Sequence, residues 1–163
     1  MSLWRRGGVT LLVVAATVTG DRVTKHIASQ KLAAYPADSF LGDMLRIGYA
    51  ENTGGFLSLG ANLPDGLRTL VFSVATAGLL AALAVVAWRS GWERWRTVSL
   101  ALFIGGGLSN WIDRVTAGHV VDFLNVGIGS LRTGVFNVAD MAIMAGMAVF
   151  FLAEQKRPGQ KNR

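Results

Sequence analysis

The chain has 163 residues, which is room for one domain. Apolar residues make up 52% of it and charged residues only 16%, well below the roughly 25% charge of an ordinary soluble domain. A mean hydropathy of +0.41 excludes intrinsic disorder, and the absence of cysteine excludes disulfide scaffolds and thiolate chemistry. The net charge of +6 is spread over loops and termini, so we expect no nucleic-acid partner. The composition predicts a small polytopic membrane protein.

Four apolar runs follow one another along the chain, and a membrane-crossing helix needs about 20 such residues. We predict membrane-spanning helices at about residues 7–24, 67–88, 97–113 and 135–154. The first run follows Arg5 and Arg6, so a signal peptide is an alternative there. No A-x-A cleavage site precedes Asp21, which favours a retained helix.

The positions of the positive charges predict the topology. Arginines precede the first run and separate the second from the third, and residues 155–163 form a basic tail. The segment from Asp21 to Asp65 has a net charge of −1, and the segment from Asp113 to Arg132 has two charges of each sign. The loops at 25–66 and 114–134 lie within or next to these segments, which carry no positive excess. We therefore expect both termini in the cytoplasm and both of these loops outside. Residues 45–50 and 120–126 have the composition of short strands, so a small sheet is expected on the outer surface.

Carboxylates gather at the outer ends of the predicted spans. Asp21 ends the first span, Asp113 ends the third, and Asp140 lies about two turns into the fourth, while Asp122 lies between the last two spans. Charged groups at such depths are costly unless they face a partner, which makes them functional candidates.

Two of these carboxylates share a helix face with an asparagine three residues away. Asn110 lies on the face of Asp113, and Asn137 lies on the face of Asp140. For Asp113 an ion pair with the adjacent Arg114, closing the helix, is an equally good interpretation.

The chemistry that remains open to these residues is that of paired carboxylates. The chain has no H-E-x-x-H zinc motif, no G-x-S-x-G nucleophile elbow and no phosphate-binding loop. Two close carboxyl groups share one proton, so one can activate water while the other hydrogen-bonds a scissile carbonyl. That is metal-independent aspartic hydrolysis. The glycines at 105–107 lie inside a span, where we expect them to allow close helix packing.

Five short motifs occur in order beside the predicted spans. They are Asp21-Arg22-Val23-Thr24-Lys25, Glu51-Asn52-Thr53-Gly54-Gly55-Phe56, Gly106-Gly107-Leu108-Ser109-Asn110-Trp111-Ile112-Asp113-Arg114, Val121-Asp122-Phe123 and Phe136-Asn137-Val138-Ala139-Asp140. Together they resemble, nearly end to end, the lipoprotein signal peptidases (signal peptidase II), which are bacterial membrane aspartic peptidases. The resemblance implies an all-α membrane protein with four transmembrane helices, a small periplasmic β-sheet (cradle) and a short periplasmic helix, which we place near residues 62–67.

The resemblance also implies roles for individual residues. The catalytic pair would be Asp122 and Asp140. Substrate-binding residues would be Asn52, Asn110, Arg114 and Asn137, and supporting polar residues would be Asp21, Lys25 and Asp113. No metal and no cofactor are implied.

The implied substrates are prolipoproteins whose lipobox cysteine already carries diacylglycerol. A water molecule activated by two aspartates would cleave just before that cysteine and release the signal peptide. The enzyme would be a multi-pass monomer among the lipids of the bacterial inner membrane, with its active site near the periplasmic face. Two departures from the family pattern bear on substrate range and inhibitor fit. Ser109 stands where the family usually has glycine, and the loop from Asn52 to Phe56 is one residue shorter.

Two other functional classes stay open. A small proton-coupled transporter component could use Asp113, Asp122 and Asp140 as a relay, and a catalytically inactive relative could serve as a scaffold. The acids cluster at one interface and no span is broken near its middle, which argues against the transporter. The presence of both Asp122 and Asp140 argues against the scaffold.

Overall fold

The fold consists of helices with one small sheet, and the computed structural model describes residues 2–54, 62–89 and 93–155. Within these ranges the helices are α1 (Leu3–Lys31), α2 (Asp65–Thr69), α3 (Thr76–Arg89), α4 (Arg94–Ala117) and α5 (Val138–Gln155). A π-helical segment, Leu70–Ala75, joins α2 to α3. The strands are β1 (Asp38–Phe40), β2 (Leu45–Asn52), β3 (Val120–Ile128) and β4 (Leu131–Arg132).

Two of the described helices are long and apolar enough to cross a membrane, Gly66–Arg89 and Val138–Gln155. Helix α1 has 29 residues and α4 has 24. At a rise of about 1.5 Å per residue both exceed the roughly 30 Å of a hydrocarbon core. Both also carry charged residues that lower their hydropathy, and several of these belong to the buried cluster described below.

Three predicted positions are corrected by the helix bounds. Helix α1 continues to Lys31, so Asp21 lies within the helix and not at its end, because no helix breaker intervenes before Pro36. Helix α5 begins at Val138, so Asp140 is its third residue and does not lie two turns inside. The helix expected near residues 62–67 is not separate, because α2 begins at Asp65 and runs on into α3.

The predicted basic tail beyond residue 155 and the Gly55-Phe56 pair lie outside the described residues.

Apolar side chains cover the outside of the helices, while polar ones are buried between them. Leu11 is 72% exposed and Phe151 is 64% exposed, whereas Asp21 and Asn137 are completely buried. Soluble monomers rarely expose continuous apolar surface of this kind, and it is typical of surfaces that contact a membrane.

Helix α4 is the central element, packed against α1, α3 and α5. The glycines at 105–107 permit this packing. A Cβ on Gly105 would lie 2.9 Å from the Cβ of Thr17, and one on Gly107 would lie 2.8 Å from Leu80 Cδ2. A Cβ on Gly106 would run into the backbone carbonyl oxygen of Ala139 at the start of α5. The prediction that these glycines serve close helix packing is confirmed.

The sheet is antiparallel with the order β1-β2-β3-β4. Both strands predicted from sequence are confirmed, since 45–50 lies within β2 and 120–126 within β3. The register places Ala50 opposite Asp122 and Asn52 opposite Val120. Phe136, just before α5, donates its amide to Leu124 O at 2.8 Å and accepts from Leu124 N at 2.9 Å. This bridge holds the start of α5 beside β3.

Candidate active site

Asp122 is presented by β3 and is 1% exposed. Because β2 pairs with β3 in antiparallel register, Asn52 lies on the same face, diagonally across from Asp122. The Asn52 Nδ2 donates to Asp122 Oδ2 at 2.8 Å. The Asn52 side-chain oxygen accepts from the backbone N–H of Gly54 at 3.0 Å, which leaves the amide nitrogen facing the carboxylate. The strand pairing and the following turn therefore set this contact.

Asn137 and Asp140 form a reciprocal cap at the start of α5. The backbone N–H of Asp140 donates to Asn137 Oδ1 at 2.9 Å, and the N–H of Asn137 donates to Asp140 Oδ2 at 3.3 Å. This is the pattern of a capping box, in which residues three apart satisfy each other's unpaired amides. The Asn-x-x-Asp spacing thus ends the loop, starts the helix and fixes the Asp140 carboxyl in the first turn.

The same Asn137 side chain joins the two aspartates. Its Nδ2 donates to Asp122 Oδ1 at 2.6 Å, while its Oδ1 is held by the amide of Asp140. The Asn110 Nδ2 donates to Asp140 Oδ1 at 2.9 Å. Each carboxyl group accordingly accepts from two nitrogen donors, and both groups are bound to one asparagine.

A buried charged cluster lies directly behind Asn110. The Lys25 Nζ contacts Asn110 Oδ1 at 2.7 Å, Asp113 Oδ2 at 2.7 Å and Asp21 Oδ2 at 2.6 Å. An ammonium group can only donate, so it must face the oxygen of the Asn110 amide. The amide nitrogen is then turned toward Asp140.

Arg22 and Ser109 complete this cluster. The sequence interpretation gave Arg22 no role in the site and connected Ser109 only with substrate range and inhibitor fit. Arg22 pairs with Asp113 from the neighbouring helix. The Ser109 hydroxyl donates to Asp21 Oδ2 at 2.7 Å. Both residues stand inside the quoted motifs, one beside Asp21 and one beside Asn110. Arg22 lies three residues before Lys25, and Ser109 lies four residues before Asp113. Residues at these spacings share a helix face, which was the signal available for finding them.

Among the residues that the structure describes, Arg114 makes no ion pair with Asp113, so the interpretation of these two neighbours as an ion pair is wrong for this structure. The partners of Asp113 are Arg22 and Lys25. Arg114 instead donates from Nη2 and Nε to the carbonyl oxygen of Gly54, at 2.6 and 3.0 Å. Its guanidinium also lies 5.6 Å from the centre of the Phe72 ring. It thereby ties α4 to the turn that follows Asn52.

A cavity of about 290 Å³ opens beside Arg114. Its lining combines polar and apolar groups, among them Thr53, Arg68, Phe72, Ser73 and Arg114. It lies next to the Gly54 turn and so adjoins the strand end that carries Asn52.

Burial is the largest influence on the pKa of Asp122, the acid carried by β3. It raises the pKa of Asp122 above the ordinary carboxyl value, against the opposing hydrogen bonds from Asn52 and Asn137. A raised value favours the protonated form, which suits a pair of acids that shares one proton. Within 2–54, 62–89 and 93–155, no group of three or more His, Asp or Glu side chains could hold a metal ion.

The structure brings all nine sequence-predicted site residues into connected contact. Asp122, Asp140, Asn52, Asn110, Asn137, Asp21, Lys25 and Asp113 form one hydrogen-bonded network. Arg114 joins it by donating from Nη1 to the carbonyl oxygen of Asn110 at 3.2 Å.

Known proteins that are similar in sequence to this chain include lipoprotein signal peptidases from two bacterial genera. The lipoprotein signal peptidase of Burkholderia cenocepacia strain HI2424 is 34% identical over 153 residues, covering 92% of this chain and 87% of that protein. The lipoprotein signal peptidase of Sphingopyxis alaskensis is 37% identical over 140 residues, covering 84% of this chain and 79% of that protein.

Solved structures of bacterial membrane enzymes share the fold. One, determined by the in meso method at 2.3 Å resolution, matches with a TM-score of 0.79 and 26% identity over 96% of this chain and 94% of its own. A second, at 1.9 Å resolution, matches with a TM-score of 0.77 and 26% identity over 90% and 92% of the two chains. The sequence model of the family described as Signal peptidase (SPase) II matches residues 13–155. With this match over most of its length, and with relatives that are also matched over most of theirs, the chain belongs to the signal peptidase II family and is a membrane peptidase.

Proposed function

We propose that this chain is an aspartic endopeptidase that removes the signal peptide from diacylglyceryl-modified prolipoproteins, cleaving just before the lipidated cysteine. The observation that carries the proposal is the single Asn137 side chain that holds both Asp122 and Asp140. It donates to the Asp122 carboxyl group and accepts from the Asp140 backbone amide, so both buried acids are fixed to one residue, and each carboxyl group has two nitrogen donors. Membership of the family supports the same assignment.

The reaction follows from a carboxyl pair that carries one proton. The ionised carboxyl takes a proton from a water molecule, and the water oxygen attacks the carbonyl carbon before the cysteine. The protonated carboxyl donates to the carbonyl oxygen as negative charge develops there. The C–N bond then breaks, and the proton taken from water passes to the departing amine of the cysteine.

The surrounding residues have positioning roles in this proposal. Asn52 and Asn137 orient Asp122, and Asn110 orients Asp140. Arg114 holds the turn at Gly54, beside the cavity in which we place part of the substrate. Behind the pair, Lys25 and Arg22 balance the charges of Asp21 and Asp113, and the contact from Lys25 keeps Asn110 in its working orientation.

We place the active site near the periplasmic face of the bacterial inner membrane. In this arrangement α1, the run Gly66–Arg89, α4 and α5 are the four membrane-spanning helices, and the sheet lies on the periplasmic side. The N-terminal Arg5 and Arg6 support a cytoplasmic start, since positive residues accumulate on that side. A diacylated substrate is already dissolved in the bilayer, so a site at this interface meets its cleavage point without extracting the lipid. We propose that the enzyme works as a monomer among membrane lipids.

The test is a gel-shift assay with purified enzyme and a diacylated prolipoprotein. Asp122→Asn and Asp140→Asn should each abolish cleavage while the variants still fold, as judged by thermal unfolding. Asp43→Asn, a change in the exposed β1–β2 turn, is the matched control and should keep activity. Cleavage should also continue in strong chelator. Full activity of either aspartate variant would remove the mechanism, and flux through proteoliposomes without cleavage would indicate a transporter instead.

A further inference from the structure

Ser109 is a completely buried hydroxyl residue on α4. The side chain does not face the cavity beside Arg114. It donates to Asp21 Oδ2 at 2.7 Å across the contact between α4 and α1. One helical turn earlier, Gly105 meets Thr17 in the same contact.

The two oxygens of Asp21 have different partners. Oδ2 accepts from Ser109 and from Lys25, whose Nζ lies 2.6 Å away. Oδ1 accepts from the backbone N–H of Ala139 at 2.8 Å. The hydroxyl and the ammonium therefore hold the carboxylate in the one rotation that points Oδ1 at α5.

The amide of Ala139 is among the first N–H groups of α5, which have no partner inside their own helix. Asp21 supplies that partner from another helix, while Asn137 supplies the partner for the next amide, that of Asp140. Both amides at the base of Asp140 are thus held by side chains. The position of the Asp140 carboxyl depends on both.

We propose that Ser109 is a positioning residue for Asp140 that acts through Asp21 and the Ala139 amide. The inference rests on the proposed function, because it concerns where one carboxyl of the reacting pair lies. Removing the hydroxyl leaves Asp21 with Lys25 as its remaining donor on Oδ2, so the carboxylate gains freedom to turn away from Ala139. The first turn of α5 then loses a fixed point, and Asp140 is held less closely in the geometry that the reaction needs.

The chain offers a matched control in Ser99. This serine lies on the same helix, is 3% exposed, and donates its hydroxyl to Gly146 O on α5 at 2.6 Å. Ser99 and Ser109 therefore each donate one buried hydrogen bond from α4 to an oxygen on a neighbouring helix. The ten-residue separation places Ser99 about 15 Å along the helix from Ser109. Replacing either serine by alanine removes one buried hydrogen bond, but only Ser109→Ala removes one that leads to Asp140.

The experiment compares wild type, Ser109→Ala and Ser99→Ala in steady-state cleavage of a diacylated prolipoprotein, with rates normalised to folded enzyme. We expect Ser109→Ala to lower kcat about tenfold with KM within twofold, the signature of an interaction felt in the transition state. Ser99→Ala should keep its kcat within twofold. Ser109→Thr, which retains the hydroxyl, should recover most of the lost kcat.

Several results would overturn the inference. A kcat for Ser109→Ala within twofold of wild type would do so, as would an equal fall in Ser99→Ala, because both point to packing alone. A change confined to KM would assign Ser109 to substrate binding instead. Activity of Asp140→Asn would be the separate failure of the aspartic mechanism, whatever the serine variants do.

Discussion

Asn137 and Asp140 bind each other twice, through two backbone N–H groups and two side-chain oxygens. The same Asn137 donates its remaining amide nitrogen to Asp122. One asparagine therefore has two tasks, starting a helix and joining two acids. These tasks can be separated by substitution.

Asn137→Ser should keep the helix cap and lose activity. Serine caps a helix about as well as asparagine, but its short hydroxyl cannot also reach Asp122. We expect a cleavage rate at least 100-fold lower, with stability reduced by about 1–3 kcal/mol because the buried Asp122 carboxyl group loses a donor. Asn137→Ala should lose the cap as well, which takes about 1 kcal/mol more from stability. Thermal unfolding and the gel-shift assay measure the two effects, and a serine variant with wild-type activity would contradict the joining role.

The free energy of unfolding should depend on pH in a way that reveals the raised pKa of the buried Asp122. Its pKa is raised by burial, so the folded protein binds this proton more tightly than the unfolded chain does. The stabilising contribution is then complete below the unfolded value of about 3.9 and is lost as the pH rises through the higher folded value. In Asp122→Asn this dependence is absent.

The measurement is the melting temperature of wild type minus that of Asp122→Asn, from pH 4 to pH 7. We expect this difference to become steadily less favourable to wild type as the pH rises. The comparison does not depend on the constant cost of the substitution, because only its slope with pH is used. A flat difference, or one that rises with pH, would show that burial does not dominate at this carboxyl.

Gly106→Ala should separate α4 from α5. The added methyl group would press on the backbone carbonyl oxygen of Ala139, which cannot move aside as a flexible side chain could. Such overpacking costs about 1–3 kcal/mol and would displace the residue next to Asp140. We expect a lower melting temperature together with reduced cleavage.

The control for this substitution is Gly78→Ala in α3. A Cβ there meets no atom within 4 Å. Stability should stay within about 1 kcal/mol of wild type, in the stabilising direction, because alanine favours a helix more than glycine does. Equal losses in the two variants would mean that the contact with Ala139 is not special.

Lys25→Met should be strongly destabilising. Lys25 is 4% exposed and compensates the buried carboxylates of Asp21 and Asp113. Removing one partner of a buried ionic group typically costs about 3–5 kcal/mol, because the opposite charge is left uncompensated. Lys31→Met, at an exposed position of the same helix, should change stability by about 0.5 kcal/mol or less. Chemical unfolding of both variants checks this, and similar small losses would contradict the role of Lys25.

Much of the site could be predicted because each motif carries its own local geometry. The Asn-x-x-Asp spacing predicted that Asn137 and Asp140 lie together, although as one helix face and not as the capping box that the structure shows. The Val121-Asp122-Phe123 alternation is enough to place a carboxylate on one face of a strand. Both statements depend on backbone periodicity within a few residues, which a sequence displays directly. The apolar runs likewise identified the helices, although the ends of α1 and α5 were misplaced by several residues.

The sequence by itself determined the elements, the membrane character and the residues that could react. Only the tertiary structure decided which of those residues meet. Asp113 pairs with Arg22 and Lys25 and not with its neighbour Arg114, and Ser109 binds Asp21 from 88 positions away. Contacts of this kind depend on how helices lie beside one another. That is set by close packing at residues such as Gly106, where a single methyl group decides the distance between two backbones.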